Sequence, residues 1–161
     1  MTSVEYDEIY SLFYARVEAY DFLQYDEDTV DDFMTVWLHS AVYEPYVRKI
    51  FSSVKMDDES CTLSFELKYS IDDETDKYFV MTLLAYGLIY QWIQPKVHSI
   101  TNIVQHFGAS DNKWYSQASH LSELRNLLSD AEYKMRSMIR DRGYVNNEYL
   151  DGASASSSIR S

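Results

Sequence analysis

The sequence predicts a mainly α fold: a small bundle of about four to five helices, a short β-strand or hairpin inserted near residues 60–70, and an extended C-terminal arm. Three observations carry this. Apolar residues recur mostly at three- and four-residue spacing. Only four Gly and two Pro punctuate the chain. One segment alone alternates polar and apolar residues, as a half-buried strand does. At 161 residues the chain fits one helical domain, residues 1–152, with a Ser-rich tail at 153–161, and can bury roughly 70% of its unfolded surface.

The first helix is expected from Ser3 to Phe22. Tyr6, Ile9, Phe13, Val17 and Tyr20 form its stripe, Ser3 its N-cap, and Glu5, Asp7 and Glu8 suit the positive end of the helix dipole. A second helix starts near Asp28 or Thr29 and places Val30, Phe33, Trp37, Leu38 and Ala41 on one side. Pro45 ends or kinks it, and "YVRKIF" continues for a further turn or two. From Thr62 to Tyr69 the pattern alternates: Leu63, Phe65, Leu67 and Tyr69 share one face of a strand, and "DDES" supplies the turn before it. Such a strand either pairs within its own subunit or adds an edge to a neighbour.

Residues Asp73 to Trp92 are apolar nearly all round, which marks a central helix with no free face. Pro95 kinks or interrupts the path, helical spacing resumes through Val97, Ile100, Ile103, Val104 and Phe107, and Gly108 stops it. After the polar link "GASDNK", Leu121, Leu124, Leu128, Ala131, Met135 and Met138 form a packing seam that Gly143 closes. The tail "ASASSSIRS" is too polar to fold on its own and needs a partner to hold it.

Net charge is −12, unevenly spread: residues 1–76 hold 19 acids and 5 bases, and residues 77–161 hold 7 acids and 9 bases. Binding nucleic acid through counterion release requires clustered Lys and Arg, so that class is disfavoured. Opposite poles favour head-to-tail contact with further copies, or else form a solvated acidic face that maintains solubility. The opening residues lack the basic and apolar regions of a secretory signal. The longest apolar run, residues 78–93, is shorter than the ~20 residues a bilayer requires, so no membrane partner is expected. Cys61, the lone cysteine, excludes an internal disulfide and is expected to be a small buried residue.

Catalytic readings fail on spacing. Ser116 and His120 lie one helical turn apart, but Asp130 is ten residues further, about 15 Å along the axis, and cannot orient that histidine. Ser116 or Ser119 is better read as a helix cap. No Gly-rich oxyanion loop, P-loop or dinucleotide fingerprint occurs. His39, His98, His106 and His120 lack metal-ligand spacing, and Asp26, Glu27, Asp28, Asp31 and Asp32 lack the alternation and glycine of a calcium loop, so no cofactor or metal is expected. What stands out is 15 Tyr, 3 Trp and 7 Phe, more than a small core absorbs; amphipathic rings are favoured at interfaces.

At "WLHSA" (37–41), "YQWIQPKVHS" (90–99), "FGASDNKWYSQASHLSELRNL" (107–127) and "RDRGYVNNEYLDG" (140–152) the sequence resembles small structural proteins of tailed bacteriophages, the head-to-tail connector (adaptor or neck) subunits. Matched segments span most of Tyr6 to Gly152; residues 44–75 depart from the pattern, being more acidic and more strand-like. The resemblance implies a non-enzymatic virion protein, assembled in the host cytoplasm into a homo-oligomeric ring of about twelve subunits at the portal vertex. Its implied partners are the portal protein, a downstream stopper or tail protein, and DNA passing non-specifically through the channel. The matched positions implied to meet portal or neighbour are Tyr115, Gln117, Leu121, Leu124, Arg136, Arg140, Arg142, Tyr144, Asn146, Asn147 and Tyr149, with Lys134 adding to the basic finish of the last helix. The acids Asp26, Glu27, Asp28, Asp31 and Asp32 would face the channel, where like charge lets DNA slide. Competing readings are another neck or tail-completion protein of the same virion, and an acidic DNA mimic that inhibits a nuclease or repressor.

Overall fold

The computed structural model describes residues 1–107 and 112–145. Its elements run β1 (Thr2–Glu5), α1 (Tyr6–Tyr14), a 3-10 turn (Tyr20–Gln24), α2 (Glu27–Tyr43), α3 (Pro45–Arg48), β2 (Phe51–Asp57), β3 (Thr62–Leu67), α4 (Asp73–Phe107) and α5 (Asn112–Val145). The fold is mainly helical, as expected. α4 is its axis, with α1, α2, α5 and β1 all packed against it.

The N-terminus departs from the expected long helix. Residues Thr2–Glu5 instead form a strand antiparallel to β3, with Val4 opposite Leu63 and Thr2 opposite Phe65. Ser3 therefore sits in a sheet and caps nothing. Helix α1 begins at Tyr6, whose N–H donates to the Cys61 carbonyl at 2.8 Å, while the Glu8 carboxylate accepts from the Glu5 N–H at 3.1 Å. The helix stops at Tyr14, where the Arg16 guanidinium donates to the Leu12 carbonyl at 2.9 Å. The chain reverses there so that Phe22 stacks on Phe13, ring centroids 6.2 Å apart.

Asp26 caps α2 by accepting from the Thr29 N–H at 2.8 Å. The buried stripe of α2 is Met34, Leu38, Ala41 and Val42, rotated from the expected one so that Val30 and Trp37 flank it and Phe33 is exposed. Pro45 does start a new segment, but of a single turn; Phe51 already belongs to β2. The three strands are ordered β1–β3–β2, all antiparallel, so the alternating segment is the centre of a sheet completed within the subunit. Val4, Phe51, Leu63, Phe65 and Leu67 point into the core. Tyr69 lies past the end of β3 and is exposed. Cys61, expected to be buried, is exposed in the β2–β3 turn with a φ of 50°.

Between residues 79 and 94 no side chain of α4 is exposed, as its all-round apolar character predicts. Pro95 lies exposed inside an unbroken helix rather than at an interruption; the run of core contacts on both sides, Ile93 and Val97, offsets the lost hydrogen bond. At Gly87 an added Cβ would lie 2.7 Å from the Ala41 Cβ, so α2 and α4 cross at contact distance. Gly87→Ala is expected to cost about 1–3 kcal/mol through overpacking, despite alanine's better helix propensity, and urea denaturation followed by circular dichroism measures it.

On α5, Leu121, Leu124, Ala131 and Met135 are buried with Leu128 and Met138 beside them, which is the expected seam. Gly143 does not close the helix, which continues to Val145. Ser116 and Ser119 fall inside α5 and so are not caps. Of the polar link, residues 108–111 lie outside the described residues, and Asn112 and Lys113 open α5. The arm and the tail at 153–161 also lie outside them.

Candidate assembly surface

The C-terminal half of α5 runs antiparallel to α4, which carries its basic finish onto the acidic start of α4. Arg142 is nearly buried. It donates to Asp76, itself buried, and at 3.2 Å to the Tyr69 carbonyl, and its guanidinium lies 4.4 Å from the centre of the Phe79 ring. Arg136 pairs with Glu132 at 3.0 Å and stacks over Tyr46 at 4.2 Å; Arg140 pairs with Asp141 at 3.2 Å. Lys134 is exposed. The basic and acidic stretches of sequence thus partly neutralise each other inside one subunit. Arg142, Leu121 and Leu124, expected at an intersubunit surface, are instead engaged in the fold: the first by Asp76, the leucines by packing on α4. Tyr115, Gln117 and Tyr144 belong to α5, but their side chains lie outside the described residues, as do Asn146, Asn147 and Tyr149 altogether.

A different face is left uncovered. Phe33, Val36, Ser40 and Tyr43 follow at spacings of three and four residues and share the outer side of α2. Leu23 (83% exposed), Tyr25, Phe33, Val36 (62%) and Tyr43 are all large apolar groups open to solvent. The patch is anchored to the interior by a ladder of rings: Tyr25 on Phe33 at 5.4 Å, Phe33 on Trp37 at 5.8 Å, Trp37 on Phe22 at 5.9 Å, and Phe22 on the Phe13–Trp92 pair. The excess of aromatics signals such a face in the sequence. Its position is not legible, because the buried stripe of α2 is rotated from the simplest reading of the spacing.

Asp26, Glu27, Asp28, Asp31 and Asp32 adjoin this patch at the head of α2, all exposed. The Thr29 hydrogen bonds hold the Asp26 carboxyl below the usual carboxylate range. Partial burial, then the charges of Glu27, Asp7, Asp28 and Asp32, push Asp31 up. At Asp31 the neighbouring like charges therefore disfavour ionisation in the free subunit.

One further polar network ties α1, α2 and the β2–β3 turn together. Asp58 accepts from the Tyr6 hydroxyl at 2.7 Å, and His39 Nε2 lies 2.9 and 3.1 Å from its two oxygens. Hydrogen bonds from His39 and then Tyr6 lower the Asp58 pKa, while burial raises that of Tyr6. A depressed carboxylate pKa adds stability that is present above the unfolded value near 4 and lost as pH falls through the folded value. Asp58→Asn is therefore expected to destabilise the protein at pH 7 and to converge with the parent as pH falls through the depressed Asp58 pKa, read by thermal melts from neutral to acid pH.

Nothing in this network presents a nucleophile to a base, and on the continuous α5 Asp130 stands three turns from His120. Among the described residues no three His, Cys, Asp or Glu converge to hold a metal, and no helix is long and apolar enough to cross a membrane. No family model, curated protein or solved structure matches the chain.

Proposed function

We propose that this chain is a structural ring subunit of a tailed-phage neck, joining head to tail beneath the portal and extending the DNA channel. The observation that carries the proposal is an uncovered apolar face: Phe33, Val36 and Tyr43 on the outer side of α2, with Tyr25 packed on Phe33 and Leu23 in the turn before it, all open to solvent. Contiguous exposed apolar surface of this kind marks protein contacts. Segmental resemblance to connector proteins names the assembly. The α2 face meets a neighbouring copy, the Ser-rich tail from Ala153 onward reaches the portal or a neighbour, and the acids from Asp26 to Asp32 turn toward the channel and keep DNA from sticking.

Another position in the same neck stack uses the same face. A DNA mimic fits less well, because it needs carboxylates spread at phosphate-like intervals, whereas these acids bunch at the head of α2, flanked by Leu23, Tyr25 and Phe33.

Val36→Asp combined with Tyr43→Asp tests the face. Both side chains are exposed, so the melting curve should hold. Self-association, measured by analytical ultracentrifugation, should weaken on the order of 100-fold, as loss of two interface anchors does. Unchanged association would remove α2 from the interface.

A further inference from the structure

A cleft of about 300 Å³ opens where the ends of β3 and α5 meet the start of α4. Ile50, Leu67, Phe79 and Ile139 give it an apolar lining, and Lys49 and Lys68 stand on its rim. Both lysines are exposed, and among the described residues neither has an ion-pair partner. That is notable in a chain with 26 acids against 14 bases. Arg142 also lines the cleft but is already held by Asp76. An apolar hollow between unpaired cations fits a short peptide with large apolar residues between acids.

The chain supplies one. Beyond Val145, residues 146–161 read NNEYLDGASASSSIRS, and only Glu148–Tyr149–Leu150–Asp151 sets acids on both sides of bulky apolar residues. The chain leaves α5 two residues after Gly143, which itself lines the cleft. Three extended residues cover about 10 Å, enough to bring Glu148 to the rim. Tethering at that range gives an effective concentration on the order of millimolar, which a second copy's arm does not match in dilute solution.

We infer that residues 148–151 dock in cis into the cleft of their own subunit, Tyr149 and Leu150 in the apolar hollow and Glu148 and Asp151 against Lys49 and Lys68. The inference stands independently of the phage reading.

Hydrogen exchange on the full chain tests it. Amides of 148–151 should exchange at least about ten-fold slower than a free peptide of the same sequence, equally at low and high protein concentration. Lys49→Glu with Lys68→Glu should abolish that protection and leave α4 unchanged. Should the reversal disturb α4, Tyr149→Ser with Leu150→Ser decides: it alters only the arm and should speed exchange at Lys68 and Tyr69. Free-peptide exchange in the parent chain overturns the inference. So does protection that survives both variants, or protection that rises with concentration, which would place the arm in a second copy.

Discussion

Replacing Arg142 by methionine is expected to lower the free energy of unfolding by about 3–5 kcal/mol, the usual cost of stranding one member of a buried ion pair. Asp76 is 3% exposed and, among the described residues, keeps only the Ile71 N–H as a side-chain partner once the guanidinium is gone. The pair joins the start of α4 to the end of α5, 66 residues apart, and Arg142 also holds the Tyr69 carbonyl after β3. The double variant Arg142→Met with Asp76→Leu should recover much of the loss, because a buried pair is worth little more than apolar residues of similar volume. Urea denaturation of the parent, the two single variants and the double variant gives the cycle. A cost below about 1 kcal/mol for Arg142→Met would mean that the pair behaves as a surface ion pair.

Phe13→Ala is the second large effect, expected at about 3–5 kcal/mol. Phe13 is fully buried and meets Trp92 edge-on at 5.7 Å, Phe22 at 6.2 Å and Tyr14 at 5.3 Å. Removing its ring leaves a cavity among rigid aromatics that cannot collapse into it. Phe13→Leu, nearer in volume, should cost far less, about 1–2 kcal/mol. Because Phe22 links Phe13 to Trp37 and thence to Phe33, Phe13→Ala should also loosen the outer face of α2. Faster exchange of α2 amides than of α5 amides in this variant would show it.

Local signals carried most of the helices. Spacing located the α5 seam from Leu121 to Met138, all-round apolarity marked α4, and alternation at Leu63, Phe65 and Leu67 found the central strand. What escaped were features set by distant partners. Ser3 followed by Glu5, Asp7 and Glu8 reads as a capped helix start, and only β3, some sixty residues on, makes Thr2–Glu5 a strand. The basic end of α5 looks free along the sequence because its acidic counterpart, Asp76, is far away in it. Tyr6, Asp58 and His39 carry no mutual spacing at all, since three separate elements bring them together. At Pro95 the interruption, one of the two outcomes expected there, does not occur, because the local preference to break a helix is overridden by packing of the turns on either side.

The size of the particle in solution tests the assembly reading most directly. The mass of the purified full chain should be measured by native mass spectrometry or light scattering, alone and after mixing with the portal protein of the proposed virion. A closed homo-oligomer, formed alone or templated on the portal, is the expected result, with Val36→Asp/Tyr43→Asp failing to form it. A strict monomer that ignores the portal and instead inhibits a DNA-binding enzyme would contradict it.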